Sequence, residues 1–368
     1  MKRSEGSMKK KVLVYAGTLR SGGGGSVLDQ IVDYLIEEKR DFVIYLGDKK
    51  LLSEYEKRGD IPLSSVNGFF SYLSPAAVYF ISKVYFLFRS FLKRDECVVL
   101  SFNQYIPSVY NNYVYHINLL SFMTEDGIGA KIRRFDAKKA LQYAKKNIFE
   151  SNYLKDIAVR YTGVDRNDFS VIHVCLNSEF KSVGGRGEKK EAGKIIAVTS
   201  PAKHKNNNFL YECIRSLKNK RPDINWKLCV VGGQDLKSWE GNKDYAEAIG
   251  VETSVEFLGP LTRTELQKKY ITSFCMINSS KVESMYMVVL EAMSSGCPCV
   301  LADNSSARES MGNVYGLFKD DDPNVMAEMV IALQEDSSLY KKTVEEGLKH
   351  VQYFSKERFI KEFSLVIE

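Results

Sequence analysis

The sequence has few of the features that mark fibrous, extracellular or disordered proteins. Its 368 residues include only 8 Pro and 25 Gly, too few for a collagenous or low-complexity chain. The N-terminal segment MKRSEGS has no apolar core, so we expect no signal peptide and take Met8 as the natural start behind a short extension. The four histidines are scattered without metal-ligand spacing, so we expect no structural metal. We also expect no other cofactor.

The charge of the chain is weak and its thiols are unpaired. Lys plus Arg outnumber Asp plus Glu by 52 to 46, a net charge of +6 that is too small at this length to indicate a nucleic-acid binder. It remains compatible with an anionic ligand or an acidic membrane surface. The seven cysteines are an odd number and lie mostly in apolar runs such as KLCVV, which predicts reduced, buried thiols in a cytosolic protein.

Apolar periodicity in the first half predicts strands that alternate with helices. The first strand is followed by a glycine-rich turn at residues 17–26 and then by a helix from Val27. Such alternation indicates a parallel sheet with helices on both faces. The predicted strands of this half are 12–16, 42–46, 97–102 and 169–175, together with the apolar segment 113–119 and a strand at the start of NIFESNYLKDIAVRYTG, which is followed by a helix.

A polar, glycine-rich and basic segment at residues 177–194 has no apolar face and is interpreted as a linker. Beyond it the alternation begins again, with strands predicted at 195–199, 226–231, 255–258, 274–278 and 299–302. The sequence therefore predicts an α/β protein with two doubly wound, Rossmann-like domains, residues 8–176 and 195–350, facing each other across a cleft. In such sheets ligands bind outside the carboxyl ends of the strands.

The most apolar window is the segment Pro75 to Leu92, PAAVYFISKVYFLFRSFL. Lys83 and Arg89 interrupt it, and it is shorter than the roughly 20 apolar residues that a membrane span requires. Two interpretations remain: a buried helix of the N-terminal domain, or a surface helix whose two cations and aromatic residues dock on an anionic bilayer.

Two glutamates, Glu283 and Glu291, are separated by seven residues at the start of a predicted helix. If that helix begins between Met285 and Met287, its free amides and positive dipole end could hold a phosphate. The carboxylates would then flank a diphosphate, one near a sugar hydroxyl and the other near a ribose. For an isolated pair of this kind, solvated or ion-paired helix carboxylates are the simpler explanation.

The context of these glutamates, strand-turn-E-x7-E-A-M-x-x-G-x-P-x-V, resembles the signature of the GT-B glycosyltransferases of family GT4. VEFLGPLTRTELQKKY, ADNSSARES and GLFKDDDPNVMAEMVIALQED resemble further stretches of that family, so the likeness covers nearly all of the second half. FSKERFIKEFSLVIE, within residues 351–368, resembles the closing helix that crosses back to the N-terminal domain.

This resemblance implies the GT-B fold and the activity of a retaining, metal-independent glycosyltransferase. The donor would be a nucleotide diphosphate sugar carrying a hexose-type sugar. The acceptor would be a carbohydrate or lipid-linked glycan in cell-surface polysaccharide synthesis, of which O-antigen and capsule enzymes are bacterial examples. The protein would then act in the cytoplasm, either free or peripheral at the inner face of the cell membrane.

The resemblance also implies roles for residues of the second half. Glu283 would contact the donor sugar as a catalytic residue, and Glu291 would bind the ribose hydroxyls. The backbone of Met285, Tyr286 and Met287 would meet the distal phosphate and the sugar, although Met285 and Tyr286 replace the Phe and Gly usual in the family and could narrow the sugar pocket.

The diphosphate would be neutralised from the loop VTSPAKHKNNN. Lys205 matches the family lysine there, Ser200 stands where an arginine is usual, and Lys203 is a candidate substitute for that arginine. Gly232, in the Gly232-Gly233 turn, would face the diphosphate, and Gly259 lies in the L-G turn that also belongs to the donor side.

In the first half the resemblance is looser and rests on two features. Gly23, Gly24 and Gly25 follow the first strand as the family's glycine-rich loop does, where backbone can approach a phosphate or an acceptor closely. His116, after an apolar strand, resembles the family histidine that touches the donor sugar. An ordinary flexible loop and a core histidine are the alternative interpretations.

Two other functions remain open at this stage. A nucleotide-sugar epimerase of the same fold would need acid and base carboxylates that the sequence does not identify. A non-catalytic homologue that binds a nucleotide sugar or a partner enzyme is suggested by Ser200 and by the missing glycine after Met285.

Overall fold

A computed structural model describes residues 10–20, 23–92, 97–108, 110–123, 127–180, 190–319 and 321–367. The chain divides into two compact units, of which the second is Leu176–Ser355 and the first contains the residues before and after it. Each unit is built on one parallel sheet, so the predicted pair of Rossmann-like α/β domains is confirmed.

The sheet of the first unit has the strand order β3-β2-β1-β4-β5-β6-β7, and its described strands all run parallel. Its central strands are buried along nearly their whole length because helices cover both faces, which explains their continuous apolar runs. The strands are β1 (Lys11–Ala16), β2 (Phe42–Leu46), β3 (Val66–Asn67), β4 (Cys97–Phe102), β5 (Asn111–His116), β6 (Lys146–Phe149) and β7 (Ser170–Val171).

The helices of the first unit connect these strands, and one more returns from the end of the chain. The connecting helices are α1 (Gly23–Glu37), α2 (Lys49–Glu56), α3 (Pro75–Leu92), α4 (Ile128–Tyr143) and α5 (Asn152–Thr162). The last helix of the chain, Lys356–Ser364, also belongs to this unit, where Phe363 packs edge-on against Tyr34 at 4.9 Å between ring centres. Among the described residues, no helix is both long enough and apolar enough to cross a bilayer.

The second unit has a six-stranded parallel sheet in the order β10-β9-β8-β11-β12-β13. Its strands are β8 (Glu191–Val198), β9 (Lys227–Val231), β10 (Val255–Gly259), β11 (Ser273–Asn278), β12 (Cys299–Ala302) and β13 (Leu317–Phe318). Its helices are α6 (Asn207–Lys220), α7 (Glu240–Ala248), α8 (Arg263–Thr272), α9 (Met287–Ser294), α10 (Ser305–Met311), α11 (Pro323–Glu335) and α12 (Ser337–His350), so the final helix Lys356–Ser364 is α13.

The core of the second unit lies between the sheet and α6 with α11, and it contains two fully buried indoles, Trp226 and Trp239. All seven cysteines of the chain are buried and free, as the sequence predicts. Burial raises the pKa of the Cys297 thiol to about 11, so it is unreactive at neutral pH.

Several predicted boundaries are wrong by a few residues. Strand β8 begins at Glu191, inside the predicted linker, of which residues 181–189 lie outside the described residues. The last predicted strand of the first half is reduced to Ser170–Val171. The chain also leaves the second unit at Ser355 rather than at residue 350, because a short 3-10 helix, Val351–Phe354, still packs there.

Candidate functional site

Two neighbouring loops of the second unit, those after β8 and β11, bring the predicted site residues together. In the strand order, β9 and β10 lie on one side of β8 and β11 lies on the other, so these loops leave the sheet at its topological switch point. The Ser279 hydroxyl donates to the Asn206 carbonyl at 2.9 Å, and the Lys281 amide donates to the His204 carbonyl at 2.9 Å. The two loops are therefore fixed to each other.

The loop after β8 is shaped by two asparagines that sequence reasoning did not identify. The buried side chain of Asn207 bonds the Thr199 hydroxyl at 2.9 Å and donates to the Ser200 carbonyl at 2.7 Å. Asn206 has a left-handed backbone with φ 54°, a conformation that asparagine tolerates better than most residues. Together they hold the 3-10 turn Lys203–Lys205 above the carboxyl end of β8.

Lys205 and Glu283 form an ion pair between these loops, Nζ to Oε1. Their side chains are 21% and 18% exposed, so the pair is largely but not fully shielded from water. The structure thus brings together the predicted phosphate-binding cation and the predicted sugar-binding carboxylate. Lys203 is exposed in the same turn; its carbonyl accepts from the Asn206 amide at 3.2 Å, and no partner of its ammonium group is found among the described residues.

Tyr286, just before α9, is anchored inside the unit. Its hydroxyl donates to the Ser280 carbonyl at 2.8 Å and accepts from the Asn304 amide at 3.0 Å. Its backbone amide donates to the Ser310 hydroxyl at 3.0 Å. The sequence-based expectations therefore need correction: the ring is buried rather than narrowing a sugar pocket, and the Tyr286 amide is already occupied.

The N-terminus of α9 supplies free amides instead. Helix α9 begins at Met287, and within the described part of the chain no acceptor is found for the amides of Met287 and Val288. The first amides of a helix have no partner within it and carry a partial positive charge. This end of α9 follows directly on the loop that carries Glu283, while the neighbouring Met285 side chain is buried.

Glu291 lies on α9 against helix α8. Its Oε2 accepts a long hydrogen bond of 3.4 Å from the hydroxyl of Tyr270, which is fully buried. Burial raises the pKa of Glu291 to about 7, although the Arg263 guanidinium and the Tyr270 hydroxyl act in the opposite direction. Its carboxyl group therefore changes charge near neutral pH, a property that the spacing of the two glutamates did not indicate.

Gly232 directly follows strand β9 and Gly259 is the last residue of β10, next to the loop after β8. The Gly232 amide donates to the Gly259 carbonyl at 2.8 Å. Gly232 has φ 118°, and a Cβ atom there would lie 2.1 Å from the Thr199 carbonyl oxygen, so only glycine fits. Their predicted contact with a donor stays a prediction.

Pockets of the second unit lie at both ends of its strands. A pocket of about 280 Å³ opens beside the joined loops and is lined by Asn206, Ser279, Lys281 and residues that follow β12 and β13. A larger one of about 420 Å³ lies at the opposite, amino ends of β8 to β10, away from the ion pair. Among the described residues, no three His, Cys, Asp or Glu side chains are arranged to hold a metal ion.

His116, at the end of β5 in the first unit, has the geometry of a core residue. It is fully buried, its Nε2 bonds the Asn147 side chain at 2.9 Å, and its ring stacks on Phe149 at 4.8 Å. Burial lowers its pKa to about 4, so the imidazole is neutral at physiological pH. This geometry favours the alternative interpretation of a core histidine, and the catalytic role stays a prediction.

Gly23, Gly24 and Gly25 form the first turn of α1 rather than a loop. The Gly25 amide donates to the Arg20 carbonyl at 3.1 Å, and a Cβ at this position would lie 3.0 Å from the Leu51 side chain. A Cβ at Gly23 would meet no atom within 4 Å. The predicted helix start at Val27 is wrong, whereas close approach of a phosphate or acceptor to this turn stays a prediction.

Sequence comparison relates the second unit to a known family. Residues 180–350 match the family described as glycosyl transferases group 1. A D-inositol 3-phosphate glycosyltransferase of Corynebacterium glutamicum (strain R) is 25% identical over 216 residues, 55% of this chain and 51% of that protein. One of Streptomyces avermitilis is 23% identical over 220 residues, 54% of this chain and 46% of that protein. The chain thus spans about half the length of these curated relatives.

Solved structures match the whole chain at low identity. Anabaena HepE in complex with UDP and glucose has a TM-score of 0.72 at 14% identity, covering 97% of this chain and 99% of that one. S. aureus TarM, in a complex with UDP and alpha-GlcNAc-glycerol, has a TM-score of 0.74 at 13% identity, covering 98% and 100%. WaaG, a glycosyltransferase involved in lipopolysaccharide biosynthesis, has a TM-score of 0.71 at 13% identity, covering 97% and 99%.

Proposed function

We propose that this chain, which has the GT-B fold and carries a glycosyl transferases group 1 domain at residues 180–350, moves a hexose-type sugar from a nucleoside diphosphate sugar to a glycan or lipid-linked acceptor. One observation carries the proposal: Lys205 and Glu283 meet at the switch point of the second sheet, and Glu283 lies on the loop that leads into the N-terminus of α9. A cation and a helix N-terminus suit a diphosphate, and a carboxylate can accept hydrogen bonds from sugar hydroxyls.

In this proposal the diphosphate binds between the Lys205 ammonium group and the amides of Met287 and Val288. These donors are fixed before the donor arrives, so they stabilise the charge that develops on the leaving diphosphate without reorganising. Glu291 would bind the ribose hydroxyls in its ionised form. Glu283 would turn from Lys205 towards the sugar once phosphate oxygens neutralise the lysine.

We further propose that the transfer is metal-independent and retains the anomeric configuration. The positive charge needed by the leaving group would come from Lys205 and the helix end. The reaction would take place on one face of the sugar, where the leaving phosphate assists deprotonation of the acceptor.

The acceptor is proposed to belong to a cell-surface polysaccharide, made at the cytoplasmic side of the membrane. WaaG, which shares the fold, takes part in lipopolysaccharide biosynthesis, and TarM has been crystallised with UDP and alpha-GlcNAc-glycerol. UDP-glucose is the first donor to test because HepE has been crystallised with it.

A non-catalytic nucleotide-sugar binder is the second candidate. Two observations favour it: Ser200 stands where the family has an arginine, and the Tyr286 amide is engaged by Ser310 instead of being free for a phosphate. Such a protein would bind the donor at the same loops without releasing nucleotide.

Binding and turnover separate these candidates. A thermal-shift screen of UDP-, GDP- and dTDP-sugars identifies the donor, because a ligand that binds only the folded protein raises its melting temperature. Release of the free nucleoside diphosphate from that donor, in the presence of a glycan acceptor, then indicates transfer. A melting shift without nucleotide release would favour the binder, and conversion of the sugar while it stays attached to the nucleotide would indicate an epimerase.

A further inference from the structure

Helix α3 has one face turned to solvent that consists only of large apolar side chains. Val78, Ser82, Phe86 and Ser90 are buried along the opposite face. The outward side chains follow helical spacing and are between 39% and 66% exposed: Phe80, Ile81, Val84, Leu87, Phe88 and Phe91. A contiguous apolar surface of this size marks an interaction site on a folded protein.

The two cations of α3 do not lie on that face, which corrects the sequence-based expectation that they meet a bilayer. Lys83 forms an ion pair with Asp136 of α4, a residue that is only 4% exposed. The Nε of Arg89 is buried, and its guanidinium interacts with the hydroxyls of Tyr85 and Tyr45 on the inner side of the helix. The outward face of α3 is therefore apolar and uncharged.

Helix α4, joined to α3 by the Lys83–Asp136 pair, supplies the missing charge. Its outward apolar side chains, Ile128, Ile132, Phe135 and Tyr143, are between 36% and 79% exposed and lie opposite its buried face. Lys139 lies over the rings of Phe135 and Tyr143, at 5.4 and 4.7 Å from their centres. The other cations of this helix are Lys131, Arg133, Arg134 and Lys138, and its only acidic residue is the ion-paired Asp136.

We propose that the outward faces of α3 and α4, here called the α3/α4 surface, dock on a lipid bilayer that contains anionic lipid. When apolar side chains are flanked by lysines, membrane binding is stabilised both by burial of the apolar side chains at the level of the acyl chains and by attraction of the lysines to anionic headgroups. Aromatic rings contacted by a lysine suit the interface, where one end of each side chain stays hydrated. The surface belongs to the first unit alone, and the proposal does not rest on the transfer reaction.

A second copy of the chain is a less favourable occupant. In a twofold interface the same surface is contributed by both copies, so the lysines of α4 would meet a surface that is also positive. A bilayer with anionic headgroups presents the opposite charge.

Flotation with vesicles tests the proposal on the full chain. The wild type is expected to float with vesicles of equal parts phosphatidylcholine and phosphatidylglycerol at low salt and to bind them more weakly at high salt. The double variant Lys131→Glu with Lys138→Glu should partition at least roughly 30-fold less, since each lost basic residue removes a factor of about five and each new carboxylate is repelled by the anionic surface. Phe80→Ser with Phe88→Ser should lose binding to anionic and to pure phosphatidylcholine vesicles alike.

The matched control is Lys341→Glu with Lys349→Glu, which reverses two exposed lysines on α12 in the second unit and should bind as the wild type does. Because the substituted side chains are exposed, we expect all the variants to fold, and unchanged melting temperatures would verify this. The proposal is overturned if the wild type stays unbound at low salt, or if the α4 variant and the α12 control bind equally. It is also overturned if the wild type is a dimer without lipid and Phe80→Ser with Phe88→Ser makes it a monomer.

Discussion

Neutralising Glu283 should strengthen the binding of a free nucleoside diphosphate. In the structure the Lys205 ammonium group is already paired with this carboxylate, and the two side chains are about four-fifths shielded from water. A diphosphate must therefore share the lysine with Glu283 or displace it. Glu283→Gln keeps the shape of the side chain and removes the competing charge.

The size of the effect follows from the electrostatics of the pair. Two unit charges about 4 Å apart interact by about 1 kcal/mol in water and about 4 kcal/mol at the effective dielectric constant of a partly buried site. Because some water reaches both groups, we expect a gain of about 1 to 2 kcal/mol, which is roughly five- to thirtyfold in affinity. Lys205→Ala should instead weaken binding about tenfold or more, since it removes a charge-assisted contact to phosphate.

Isothermal titration with the nucleoside diphosphate of the identified donor measures these changes. In the Lys205→Ala background the gain from Glu283→Gln should vanish, because the two residues act through one another. Lys203→Ala tests the alternative cation of the same turn; because the ammonium group of Lys203 is exposed and is not paired with Glu283, we expect this variant to bind nearly as the wild type does. Weaker binding by Glu283→Gln would show that the carboxylate orients the lysine rather than competing with phosphate. A loss of affinity in Lys203→Ala as large as that in Lys205→Ala would show that the phosphate also contacts the residue two positions earlier.

Three other residues give tests of their own. The affinity for nucleotide should rise as the pH increases through about 7, where Glu291 ionises and can accept from both ribose hydroxyls, and Glu291→Gln should bind more weakly with a flat pH profile in the same titration. His116→Phe should leave turnover unchanged. In the wild type the free energy of unfolding should fall by up to about 3 kcal/mol as the pH decreases from 6.5 to 4, because only the unfolded state binds the histidine proton there, and acid unfolding should show that His116→Phe lacks this decrease. Gly232→Ala should lower stability by more than about 2 kcal/mol in denaturant unfolding because its Cβ would meet the Thr199 carbonyl, whereas Gly241→Ala, where a Cβ meets no atom within 4 Å, should not.

The sheets could be predicted from sequence because apolar runs report burial directly. Strands β2, β4 and β12 begin and end at the predicted residues. The family resemblance implied that Lys205 and Glu283 lie at the same site, but it did not imply that they form an ion pair. Their contact depends on how the two loops are joined, and the two residues are 78 positions apart in the chain.

What the sequence could not reveal depends on residues distant along the chain. The inward turn of Lys83 follows from Asp136, 53 residues away on another helix. The burial of Tyr286 follows from Ser310 and Asn304, which belong to α10 and the turn before it. Periodicity predicts which face of an element is apolar, but it does not identify the polar partner that determines where a single charged or hydroxyl group points.

The central claim is sugar transfer at the loops that carry Lys205 and Glu283. An NMR time course of the donor with a glycan acceptor measures the free nucleoside diphosphate, the new glycosidic linkage and its anomeric configuration in one experiment. We predict that the wild type forms a linkage with the configuration of the donor sugar and releases nucleotide at the same rate, and that a folded Lys205→Ala variant is at least about tenfold slower at low donor concentration. A wild type that binds the donor but yields neither linkage nor free nucleotide, or a Lys205→Ala variant as fast as wild type, would contradict the account.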